Sequence, residues 1–112
     1  MSDYFKNINE IIYEGPESDN PLSFKYYDES RQVLGKTMKE QLRFATCYWH
    51  TFTWPGLDPF GGATFERPWM SGEEPLKMAE MKLDEAFDFF AKIKTPFFCF
   101  HDRDISPEGT SY

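Results

Sequence analysis

His101 and Asp104 are the residues of this sequence best placed to do chemistry, because they follow at once on an apolar run, Phe97-Phe98-Cys99-Phe100, that breaks into His101-Asp102-Arg103-Asp104. An imidazole beside carboxylates suits proton transfer near neutral pH. A continuous apolar run reads as a buried strand of a parallel sheet, and in α/β enzymes the working residues sit just past the strands' carboxyl ends. The plainer readings are a hydrogen-bonded structural histidine for His101 and a turn or helix-cap carboxylate for Asp104. Asp102 with Asp104 suggests half of a cation site, but Arg103 brings positive charge and one short loop seldom supplies enough ligands. Asp102 is left without a role. Cys47 and Cys99 each lie inside an apolar run, with no CxxC spacing and no neighbouring basic residue, which suits buried, reduced, inert thiols rather than a bridge.

The elements that must hold these residues follow from the pattern on either side. Phe44-Ala45-Thr46-Cys47-Tyr48-Trp49-His50-Thr51-Phe52 is aromatic and β-branched without a breaker, so it reads as a strand over 44–52, ending at Trp54-Pro55-Gly56. Residues 55–72 concentrate glycine and proline and read as a long loop. From Pro75 to Lys94, Leu76, Ala79, Leu83, Ala86, Phe87, Phe90 and Ile93 recur at three- and four-residue steps, which predicts a helix over about 75–93. Its charged residues, Lys82 and Glu85 among them, read as a solvated face, and Ser71 with Glu74 has capping-box spacing at its start. Thr95-Pro96 stops it, and a second strand follows over 97–101. Strand, helix and strand make a βαβ unit with parallel strands and a right-handed crossover. Ahead of it, residues 1–43 read as an irregular arm docked by its rings, with a short helix near 37–42 that Thr37 caps and Glu40 completes.

Composition narrows the function classes. The chain has 112 residues, 40% hydrophobic and 19% aromatic, and a net charge of -7. It is one domain at most, and it lacks the basic stripe that nucleic-acid binding requires. No apolar segment approaches the roughly 20 residues of a membrane span, and the amino terminus has no secretory pattern, so the expected location is the cytoplasm. Two strands that are apolar on both faces, with free outer edges, do not complete an α/β fold. The chain therefore reads as the amino-terminal portion of a larger barrel: an arm over 1–43 and the first βαβ unit over 44–112.

Tyr13-Glu14-Gly15, Asn20-Pro21-Leu22, Leu34-Gly35-Lys36, Leu42-Arg43-Phe44-Ala45, Cys47-Tyr48-Trp49-His50-Thr51-Phe52, Arg67-Pro68-Trp69, Cys99-Phe100-His101-Asp102 and Ser106-Pro107-Glu108-Gly109 closely resemble the start of a bacterial-type xylose isomerase of the longer class, class II. The resemblance implies a tetrameric (β/α)8 barrel that interconverts D-xylose and D-xylulose, and D-glucose and D-fructose, with two divalent cations, Mg, Mn or Co. It implies that His101 opens the sugar ring with Asp104 as its partner, that Trp49 lines the sugar pocket, and that Phe60 in Asp58-Pro59-Phe60-Gly61 reaches into a neighbouring subunit. On the sequence alone, Trp49 and Phe60 could equally be ordinary aromatic packing. By strand alternation, Trp49 would share the barrel-facing side with Ala45 and Cys47, and His101 with Phe97 and Cys99, leaving His50 on the opposite face. The metal-binding residues of the family lie on later strands, beyond residue 112, so the chain alone is expected to be inactive. Two other classes fit less of the pattern: a noncatalytic carbohydrate-binding module, and another sugar-processing TIM-barrel enzyme.

Overall fold

A computed structural model of the chain describes residues 3–72 and 74–111. In chain order it contains β1 (Gln32–Val33), β2 (Lys36–Thr37), α1 (Met38–Gln41), β3 (Ala45–Cys47), α2 (Pro75–Lys92), β4 (Phe97–Cys99) and α3 (Asp102–Ile105). Two short pieces interrupt the long connection: a wide π-helical turn over Trp49–Thr53 and a tight 3-10 turn over Pro68–Met70.

The βαβ unit is present. β3 and β4 pair in parallel with the register Ala45↔Phe97, Thr46↔Phe98 and Cys47↔Cys99, and α2 lies in the connection between them. This parallel ladder argues against the antiparallel architecture usual in carbohydrate-binding modules. Pro75 opens α2 at a position where its missing N–H costs nothing. Glu74 occupies the cap position without a side-chain cap bond and pairs instead with Lys77 at 3.0 Å. The Ser71–Glu74 capping box expected from spacing is therefore not formed, because Ser71 closes the preceding 3-10 turn. The Thr37–Glu40 box is formed in both directions.

The first strand is shorter than its composition suggests. Instead of running to Phe52, β3 ends at Cys47, Tyr48 turns into helical backbone, and Trp54 N–H closes the π turn on Trp49 O at 2.7 Å. The physical reason is the partner: the ladder ends at Cys99, so residues after Cys47 have no strand to bond. Turning also places Tyr48 and Phe52, four residues apart, on one face, where both are fully buried. The second strand likewise ends at Cys99 rather than His101.

The core lies on the α2 side of the sheet. Tyr48, Phe52, Trp69, Ala86 and Phe90 are buried together; Phe98 stacks on Phe90 at 5.1 Å, and Trp69 Nε1–H donates to Phe52 O at 2.9 Å. Each such ring contributes about 1.5–3 kcal/mol by leaving water. Glu85, expected on the solvated face of α2, is buried and accepts Tyr4 N–H at 3.1 Å; Lys82 is half-buried. Glu85 departs from the expectation because the arm folds back over that side of the helix, and Lys82 because it lies against Tyr48 and Thr53. Ile11 N–H donates to Lys92 O at 2.8 Å, and Tyr4 packs edge-on against Trp69 at 5.3 Å. Lys94, left-handed at φ 57° just past α2, is held by Glu10 at 2.8 Å and Glu29 at 3.0 Å. Within the arm, Leu34 and Gly35 at φ 51° and 82° make the two-residue turn between β1 and β2.

The other face of the sheet is bare. Ala45, Phe97 and Cys99 are exposed and Cys47 is half-buried, so the two thiols are not the buried core groups the sequence suggested. The radius of gyration is 17.0 Å, against about 13 Å for a compact domain of this length. The described residues form a small mixed helix-and-strand unit with no closed barrel, and none of their helices is long and apolar enough to cross a membrane.

Candidate functional site

Register builds the site. The last ladder pair is Cys47↔Cys99, and two residues beyond the end of each strand stand Trp49 and His101, whose ring centroids are 4.5 Å apart. The expectation that Trp49 and His101 share one side holds, although Trp49 reaches it from the π turn and not from a continued strand. The same turn removes strand alternation as a guide to His50, which is exposed and lies 5.6 Å from Trp49, ring to ring.

His101 caps the short helix α3 in extended backbone, and Asp104 folds back on it. His101 N–H donates to Asp104 Oδ2 at 2.7 Å, Asp104 N–H donates to His101 O at 3.0 Å, and His101 Nδ1 lies 3.1 Å from the same Oδ2. The carboxylate is buried, with 7% of its side chain exposed, while the imidazole is 66% exposed. An ionised carboxylate can only accept, so Nδ1 carries the proton in this pair and Nε2 is left outward. The helix-cap reading of Asp104 holds, and the cap bond to His101 N–H also fixes the carboxylate against the ring.

Beneath the pair sit two groups that sequence reasoning passed over, Tyr48 and Lys82. The Tyr48 hydroxyl is buried, and among the described residues nothing bonds it. Burial, and secondarily the charge of Asp104, push its pKa up to about 12. Lys82 lies with Nζ 5.7 Å from the Tyr48 ring and 3.4 Å from Thr53 Oγ1; burial lowers its pKa and Asp104 partly restores it. The signal available in the sequence was the four-residue spacing of Phe44, Tyr48 and Phe52, which suits a helical turn as well as a strand. Because the folded Tyr48 pKa lies above the unfolded value of about 10, its contribution to stability is fully present below about pH 10 and is lost as pH rises toward 12. The loss is of the order of 2 kcal/mol. In a spectrophotometric tyrosinate titration, Tyr48→Phe should remove a component centred near pH 12; an unchanged high-pH limb would show that Tyr48 is not shielded.

Phe60 joins neither Trp49 nor His101. It is 98% exposed on a loop tip held by Asp58, whose Oδ1 accepts Phe60 N–H at 2.7 Å and whose backbone bridges to Gly61. Among the described residues, no three of His, Cys, Asp and Glu converge as metal ligands do. The side chains present therefore do not fit a pair of divalent cations.

Fold and site together define an α/β chain whose chemistry-bearing side chains stand beyond the carboxyl ends of parallel strands. The chain is related to the xylose isomerases along nearly its whole length. It is 60% identical over 111 residues to the xylose isomerase of Photobacterium profundum, covering 99% of this chain and 25% of that protein. The xylose isomerase of Paraburkholderia xenovorans is 57% identical over 108 residues, covering 96% and 24%, and that of Burkholderia vietnamiensis is 58% identical over 106 residues, covering 95% and 24%. The chain spans about a quarter of the length of these curated relatives. No family model matches it.

Proposed function

We propose that this chain is the amino-terminal part of a cytoplasmic aldose–ketose isomerase acting on D-xylose, and on D-glucose as a second substrate, and that its own contribution is to open the sugar ring. In this reading residues 1–43 are the arm and residues 44–112 the first βαβ unit of a (β/α)8 barrel. The observation that carries it is the buried Asp104 carboxylate on His101 Nδ1, with Trp49 against the same ring; the close relatives named xylose isomerase support it.

The chemistry follows from those atoms. Asp104 holds the imidazole in one orientation and stabilises its protonated form, leaving Nε2 to give a proton to the ring oxygen of a cyclic sugar as the bond from that oxygen to the anomeric carbon breaks, while the anomeric hydroxyl gives its proton to water and becomes the aldehyde carbonyl. The indole of Trp49 offers an apolar face for the sugar's C–H groups and shields the imidazole from water on one side. Phe60, presented at the tip of its loop, is free to enter a neighbouring subunit of a homotetramer. The divalent cations (Mg, Mn or Co) that the resemblance implies have no fitting ligand set in the described residues.

The test is a chimera in which this chain replaces the matching quarter of the Photobacterium profundum enzyme. Conversion of xylose to xylulose with added Mg, Mn or Co is the expected result, in a tetramer. A chimera that folds and assembles but does not turn over would overturn the assignment.

A further inference from the structure

One cation of α2 is turned inward. Lys82 is half-buried, and among the described residues its ammonium enters no ion pair: Nζ lies 3.4 Å from Thr53 Oγ1 and 5.7 Å from the centre of the Tyr48 ring. Withdrawing an ammonium from water is costly unless an opposite charge compensates it, and an aromatic face recovers only part of that cost. The countercharge stands on α3, which packs against α2. Lys82 shares a cleft of about 180 Å³ with Arg103 and Ile105, the residues on either side of buried Asp104. The charge of Asp104 opposes the effect of burial on Lys82 and also reaches the Tyr48 hydroxyl. The chain's own residues supply this burial, so strands added beyond it leave Lys82 and Tyr48 at least as enclosed.

We propose that Lys82 is a positioning residue of the ring-opening pair: its ammonium, set against the Tyr48 ring, is the countercharge that keeps Asp104 ionised and weakens that carboxylate's hold on the imidazole proton of His101. A buried carboxylate 3.1 Å from Nδ1, left to itself, fixes the imidazole in its charged form, and an acid that holds its proton too firmly is a poor catalyst. A cation beyond the carboxylate opposes this, because it repels the imidazolium while attracting Asp104. The other charges around the pair are engaged or face water. On α3, Arg103 pairs with Glu108 at 3.3 Å, and exposed Asp102 accepts Arg103 N–H. On the π turn His50 is exposed; on α2 Glu85 accepts Tyr4 N–H; beside the 3-10 turn Arg67 lies over the Phe65 ring. Tyr48, with its pKa pushed up to about 12, is neutral at physiological pH. The consequence for turnover rests on the isomerase reading, whereas the coupling of charge between Lys82 and His101 does not.

The experiment uses the full-length chimera, deuterated and with carbon-13-labelled histidine, and follows the His101 imidazole by NMR across neutral pH, its signal assigned by its loss in His101→Asn. Lys82→Met keeps an apolar stem against Tyr48 but no charge, and it should raise the His101 midpoint by about half a pH unit or more. Lys82→Gln should do the same, and Lys82→Arg should bring the midpoint back close to that of the unsubstituted protein. The pH limb of kcat/KM for cyclic D-xylose should move with the midpoint, while that for acyclic D-glyceraldehyde stays in place. A His101 midpoint unmoved in both uncharged variants would overturn the proposal. So would Lys82→Arg shifting it as far as Lys82→Met does, which would mark a packing role. A chimera that shows the shift in midpoint but no turnover would uphold the charge coupling and overturn the isomerase reading instead.

Discussion

In the chimera described above, His101→Asn lowers turnover of cyclic D-xylose at least about 100-fold while leaving divalent-cation affinity and the conversion of an acyclic aldose, D-glyceraldehyde, largely unchanged. Asparagine keeps a polar group near Asp104 but has no ionisable nitrogen to pass a proton to a ring oxygen. A three-carbon aldose cannot close into a ring and so has no use for the step. Asp104→Asn should show the same selectivity with a smaller loss, because the imidazole remains but its Nδ1 partner at 3.1 Å is no longer an anion. Steady-state assays on both substrates and calorimetric titration with Mn measure the outcome. Equal losses on the cyclic and acyclic substrates, or a parallel loss of cation affinity, would place His101 in a different step.

The second large effect is expected from the chain by itself, which should self-associate and show no isomerase activity. Its accessible surface is 8563 Å², against about 6,400 Å² for a compact monomer of this mass. The excess, roughly 2,000 Å², is as large as a stable protein–protein interface. Part of it is the bare sheet face with Phe97 and Cys99, and both strands have an unpaired outer edge among the described residues. A net charge of -7 opposes association, but it does not cover exposed apolar side chains or pair free strand edges. Light scattering over a dilution series should give a mass that rises with concentration. A monodisperse monomer throughout, or xylose turnover on adding Mg, Mn or Co, would show that the unit is self-sufficient.

The sequence revealed the long-period features and obscured the short ones. The spacing of Ala79, Leu83, Ala86 and Phe90 predicted α2 to within a residue or two, and two apolar runs flanking a helix were enough to predict a parallel pair. What failed was the end of each strand. An apolar, aromatic run says that residues are buried but not whether a hydrogen-bonding partner exists, and beyond Cys47 and Cys99 it does not. Glu85 and Lys82 were misread for a related reason: helical periodicity identifies the face toward the sheet, while what covers the flank comes from elsewhere in the chain, Tyr4 of the arm for Glu85 and the turn that carries Tyr48 and Thr53 for Lys82. Of the candidate site, the meeting of Trp49 and His101 could be inferred from strand ends, and the Asp104 cap from its three-residue spacing. The unbonded Tyr48 hydroxyl left no mark in the sequence, since a buried tyrosine and a buried phenylalanine occupy the same pattern.

The parallel register also sets a timetable for synthesis. An antiparallel hairpin such as β1–β2 can close as soon as its turn leaves the ribosome, but Thr46 and Cys99 are separated by 53 positions. At translation rates of about 5–20 residues per second, β3 waits for β4 for roughly 3–10 s, far longer than α2 takes to form, which is of the order of a microsecond. During that interval the Phe44–Cys47 segment has no ladder, and α2 with its Phe90 is the local surface that can cover Tyr48 and Phe52. The π turn that ends β3 early thus leaves the nascent chain an apolar strand of three residues to shelter instead of nine, and a chaperone or a slow codon stretch acting before residue 97 would bear on those three.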